Sequence, residues 1–148
     1  MTSGIYTGLT DDTLQASSAK AFPTAPRQKK HVADLLELIE IPRMTNFLDA
    51  FSAFHTRYYK SKTGKQSSIW LYDQIVKLGE DYASKDVIFS VRKFKHDWAQ
   101  HSVIATLCPA NNASSDDIII LSAHQDSVNQ WNPWFGRSPG ADDDGISL

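Results

Sequence analysis

The sequence predicts an α/β fold, and three patterns carry that prediction. Between residues 31 and 82, apolar residues recur at three- and four-residue steps, the period of helices that pack through one face. Residues 87–94 mostly alternate apolar and polar side chains, and a second β-prone run, residues 102–107, follows a short polar loop, as in an antiparallel hairpin. Residues 118–121 are all apolar, mostly β-branched, and flanked by polar neighbours. Such a run reads as a strand buried on both faces, lying parallel in a larger mixed sheet.

Composition bounds the partners. The chain has 148 residues, 41% hydrophobic, with a formal net charge of −2, so a single soluble domain is the expectation. Mixed charges near balance give no argument for nucleic acid or an anionic membrane surface. No stretch approaches the roughly 20 apolar residues of a membrane span. The opening residues, MTSGIYTGLTDD, have neither a basic nor an apolar segment, so they do not read as a signal peptide. The single cysteine, Cys108, leaves the redox compartment open.

In chain order, residues 1–30 are rich in Ser, Thr, Ala and Pro and read as a disordered arm. Residues 31–41 place Val32, Leu35, Leu36 and Ile39 on one helical stripe, which Pro42 is expected to stop. Thr45 or Asn46 is then expected to cap a second helix, in which Phe47, Leu48, Phe51, Phe54 and Tyr58 form a stripe. His55 lies near that stripe; a ligand role competes with the commoner reading of a helix-surface or packing histidine. A turn at residues 61–64, with Gly64 at positive φ, leads to a third helix over 65–82 whose inner face is Trp70, Leu71, Ile75, Leu78 and Tyr82. The run from Gly64 to Ser68 lacks the earlier glycine and the preceding strand of a phosphate loop.

The hairpin loop holds His96, Asp97 and His101. Two histidines and an aspartate suit a metal, but a solvated loop tip is the commoner case. Residues 112–114 form a glycosylation sequon that matters only on a secretory route. Past the apolar run come His124 and Asp126, then a Trp- and Pro-rich loop, then Asp142, Asp143 and Asp144. A histidine at the carboxyl end of a buried strand stands where open α/β sheets place ligands. Three adjacent carboxylates raise one another's pKa unless a cation neutralises them. Trp131, Trp134 and Phe135 suit either loop packing or a pocket wall.

These segments resemble a known family. HQDSVNQWNP (residues 124–133) and SPGADDDG (138–145) are similar to the first metal-ligand segments of the co-catalytic dizinc aminopeptidases, fungal and bacterial leucine aminopeptidase type. FHTRYYKSKTGKQSSIWL (54–71) and VRKFKHDWAQHSVIA (91–105) resemble the same family's opening helices and hairpin, in the same order. The resemblance covers roughly residues 30–148 and implies a three-layer α/β/α zinc-exopeptidase domain, with residues 31–148 as its N-terminal half. It implies two zinc ions, with His124 binding one, Asp143 bridging both, and Asp126 accepting the other ring N–H of His124. It also implies peptide or protein N-termini as substrates, a usually monomeric enzyme, and secretion.

In that family the general-base glutamate and three further ligands come from later segments. The GISL that follows the aspartates here departs from the family's small residue, Ser and Gly. Upstream replacements fail on distance, because an extended strand puts Asp117 about 23 Å from His124. A catalytic zinc takes three protein ligands, so the expectation is a truncated aminopeptidase that is inactive by itself and prone to self-association. The competing expectation is a non-catalytic α/β module that binds peptide or a partner chain.

Overall fold

The computed structural model describes residues 24–111 and 118–140. The sequon at 112–114, Asp116, Asp117 and the aspartates at 142–144 lie outside the described residues, as does most of the expected N-terminal arm. The chain divides into two compact units, Met1–Ile39 and Glu40–Leu148.

The first unit contains helix α1, Lys29–Leu36. Its apolar stripe of Val32, Leu35 and Leu36 is exposed within that unit. The helix does not run to residue 41. It tapers through tighter bonds, Leu38 N–H to the Leu35 carbonyl and Ile39 N–H to the Leu36 carbonyl. Pro42 does not stop it either, for Pro42 lies in the first turn of the next helix. There its missing N–H costs nothing and its fixed φ suits the helix.

The second unit begins with α2, Ile41–Ser52, for which Glu40 is the N-cap without a side-chain bond. Thr45 is inside this helix, its hydroxyl donating to the Ile41 carbonyl at 3.1 Å, so the expected cap at Thr45 or Asn46 is corrected. Phe51 stacks on Phe47 and Trp70, Phe47 and Trp70 are tilted, all with ring centroids 5.3–5.7 Å apart, and Phe54 meets Phe51 and Trp70 edge-on from beyond the helix end. Phe51 is the buried centre, 2% exposed.

Helix α3 is Lys62–Tyr82, beginning earlier than expected because Ser61 caps it and accepts the Gly64 N–H at 2.9 Å. Gly64 is therefore helical rather than a turn residue. Glycine is required there by close approach, since a Cβ would overlap the Tyr58 carbonyl. The most buried face is small and polar (Gly64, Ser67, Ser68), while Leu78 and Tyr82 are exposed. Tyr82 instead lies under the Arg43 guanidinium, 4.7 Å from its centroid.

Strands β1, Val87–Phe94, and β2, Ser102–Pro109, pair antiparallel in register from Val87↔Pro109 to Phe94↔Ser102. Val87, Phe89 and Val91 are half-buried, and Phe89 packs where Gly79 of α3 leaves no Cβ. Residues 118–121 are not a strand; they have no regular secondary structure and are 80% to 89% exposed. Among the described residues the sheet has two strands, β1 and β2, and residues 118–121 have no neighbour with which to pair their backbone groups. In the second unit, α3 packs on the antiparallel β1–β2 hairpin.

Candidate functional site

Three segments converge on one buried side chain. Arg57 follows the aromatic end of α2 and is 0% exposed. Its Nε donates to the Gln125 carbonyl at 3.0 Å, and one terminal nitrogen donates to the carbonyls of Phe51 at 3.1 Å and Pro139 at 3.2 Å. The other terminal nitrogen donates to the Gly140 carbonyl. The guanidinium carbon also lies 4.6 Å from the centroid of the Phe51 ring. A buried cation is tolerable only when its donors are satisfied, and a planar fork of carbonyl bonds does that.

Ser127 is the second tie. Its hydroxyl accepts the Arg57 N–H at 3.2 Å and donates to the Ser138 carbonyl at 2.7 Å, while its own carbonyl accepts from Thr56 Oγ1 at 3.2 Å. Gln100, buried at the hairpin end, donates through Nε2 to the Arg57 carbonyl at 3.1 Å. Residues 56–57, 125–127 and 138–140 are therefore laced together from the backbone outward.

His124 stands at the rim of this lacework. Its Nδ1 is 3.0 Å from the Asp126 carbonyl oxygen and 3.4 Å from the Asp126 carboxylate. Both groups only accept, so Nδ1 is the nitrogen that donates to them, which assigns the hydrogen of the neutral ring to Nδ1. An imidazole in that tautomer, oriented by a neighbouring acceptor, suits a metal ligand in kind. In number the described residues fall short, because no group of three His, Cys, Asp or Glu gathers among them. Asp143 lies outside the described residues.

The intervening loop is built on two asparagines. Asn129 Oδ1 accepts the N–H groups of Trp131 and Asn132, and Asn132 Oδ1 accepts that of Phe135. Trp131 is 99% exposed, and Trp134 leans edge-on against Tyr58 with centroids 5.3 Å apart. His55 is exposed and ties the loop by hydrogen bonds: its Nε2 lies 2.9 Å from the Phe135 carbonyl, and its own carbonyl accepts from Ser138 N–H at 2.8 Å.

The hairpin-tip histidines have other partners. His96 stacks on Trp98 with centroids 4.4 Å apart and meets Ser102 Oγ at 2.8 Å. His101 N–H donates to Ser68 Oγ, and its carbonyl accepts from Gln125 Nε2. Burial, followed by the charges of Lys65, Lys93, Lys95 and His96, holds the His101 ring below the ordinary histidine value. Sequence reasoning missed Arg57, Gln100 and Ser127. Their only signal is polar residues set among aromatics, Arg57 next to Tyr58 and Gln100 two residues after Trp98.

Comparison with known proteins places these segments. The profile of Peptidase family M28 matches residues 102–148. Leucine aminopeptidase 1 of Sclerotinia sclerotiorum is 42% identical over 134 residues, which is 90% of this chain and 34% of that protein. The Pyrenophora teres f. teres enzyme of the same name is 44% identical over 133 residues, 89% of this chain and 32% of its own. The crystal structure of LapB from Legionella pneumophila superposes with a TM-score of 0.66 at 29% identity, covering 84% of this chain and 32% of that one. The chain spans about a third of the length of the curated relatives it matches. Over that span it resembles the leucine aminopeptidases, and its residues 102–148 carry the match to Peptidase family M28.

Proposed function

We propose that this chain supplies the opening segments of a zinc-dependent aminopeptidase, a peptide hydrolase that removes N-terminal, leucine-type residues. In this reading His124 would hold the first of two zinc ions through Nε2, and Asp143 would be a ligand shared with the second. Zinc bound there supplies a Lewis acid for the scissile carbonyl and an activated water. Asp126 holds the His124 ring by accepting its Nδ1 hydrogen, which fixes the tautomer and raises the basicity of Nε2. The observation that carries the reading is this pairing on a loop that Arg57 and Ser127 hold in place, within a chain 42% identical to a leucine aminopeptidase. Secretion and peptide N-termini as partners follow from the same resemblance. Among the described residues no helix is long and apolar enough to cross a membrane.

His124 and Asp143 are fewer than the three protein ligands of a catalytic zinc, so the 148 residues alone are expected to release no leucine. The test grafts residues 24–148 in place of the matching segment of the Sclerotinia sclerotiorum relative and assays leucine release from a leucyl amide. Zinc-dependent turnover that His124→Ala abolishes, and that Asp126→Asn lowers about 10–100-fold, is the expected result. A folded graft whose turnover is indifferent to His124→Ala refutes the ligand assignment. A folded graft without turnover favours a non-catalytic module.

A further inference from the structure

We propose that Arg57 is a positioning residue that sets the His124–Asp126 turn against the segment leading to Asp143; this rests on the reading of His124 as a metal ligand. The Gln125 carbonyl belongs to the peptide unit that joins Gln125 to Asp126. Its 3.0 Å bond from Arg57 Nε therefore fixes the plane from which Asp126 projects. Asp126 in turn holds Nδ1 of His124 through its carbonyl and its carboxylate. The same guanidinium reaches the carbonyls of Pro139 and Gly140, the described residues nearest the aspartate cluster. One side chain thus grips the backbone of both the 125 turn and the 139–140 segment, and the Phe51 carbonyl ties it to the end of α2.

Lysine cannot reproduce this. It keeps the charge but offers a single nitrogen where the guanidinium offers several at fixed angles. Carbonyl acceptors spread over positions 51, 125, 139 and 140 need the fork.

The experiment uses the full chain and reads the His124 ring nitrogens by 15N NMR, with amide exchange as the control on folding. Wild type is expected in the Nδ1–H tautomer. Arg57→Lys is expected to retain protection of the β1–β2 amides, speed exchange of amides 125–128 and 136–138 at least tenfold, and move His124 toward the Nε2–H tautomer. A merely structural arginine loosens the loops without moving that tautomer, and an unchanged His124 ring in Arg57→Lys overturns the proposal. If Arg57→Lys does not fold, Ser127→Ala decides. It removes only the hydroxyl between Arg57 N–H and the Ser138 carbonyl, and the same tautomer shift, smaller, is expected. An unmoved ring in folded Ser127→Ala overturns the proposal equally. Zinc titration of wild type separates the two readings: a His124 ring that ignores zinc sinks the ligand assignment, while the tautomer comparison still judges Arg57.

Discussion

His101 shows what a single buried ring nitrogen does to pH dependence. Its Nδ1 is buried and finds no hydrogen-bond partner among the described residues. Lys65 on α3, Lys93 on β1, and Lys95 and His96 at the hairpin tip all disfavour its protonated form. With the folded value depressed, the unfolded chain binds the proton more readily. The stabilisation is then complete above the ordinary histidine value of about 6.5 and is lost as pH falls below it toward the folded value. An NMR titration should give His101 a midpoint under about 6.5, and melting should weaken on acidification less in His101→Gln than in wild type. A midpoint at or above 6.5 contradicts the burial. Gly64 is the other residue whose role is steric. Gly64→Ala drives a methyl into the Tyr58 carbonyl and should cost about 1–3 kcal/mol in denaturant melts. A neutral substitution would mean that the 57–64 turn can yield.

Elements whose cause is local were legible from sequence, and those whose cause is a neighbour were not. Strand β1 matches the alternating run residue for residue, because one face meets α3 and the other meets water. The end of α3 at Tyr82 was equally readable. Pro42 was misread because proline fits both the end of one helix and the first turn of the next, and only the chain around it decides. Residues 118–121 carry strand composition, yet a strand exists only with a partner, and composition does not supply one. Arg57 left no periodic trace, since three of its four carbonyl acceptors lie 68 to 83 residues away. The cap of α3 offers a direct check. Ser61→Ala removes the acceptor for Gly64 N–H and should cost about 1 kcal/mol, whereas Ser61→Asp should be nearly neutral.

At the scale of the molecule, two features govern behaviour in solution. The aromatic cluster around Phe51 and Trp70 anchors α2 to α3 and supports Arg57 from below, so Phe51→Ala should cost about 3–5 kcal/mol and loosen the 125–140 loops with it. Residues 118–121 expose a continuous apolar run just before His124. Such a run drives association, so the chain should sediment as oligomers at micromolar concentration, and Ile119→Lys with Leu121→Lys should return it to monomer. A monomeric wild type would contradict that. The most direct measurement follows the five histidine rings by NMR as zinc is added to the full chain. His124 should respond first and at Nε2, with His55 and His96 unmoved because their ring nitrogens already bond the Phe135 carbonyl and Ser102 Oγ. A response centred on His96 and His101, with His124 silent, would contradict the metal-ligand reading.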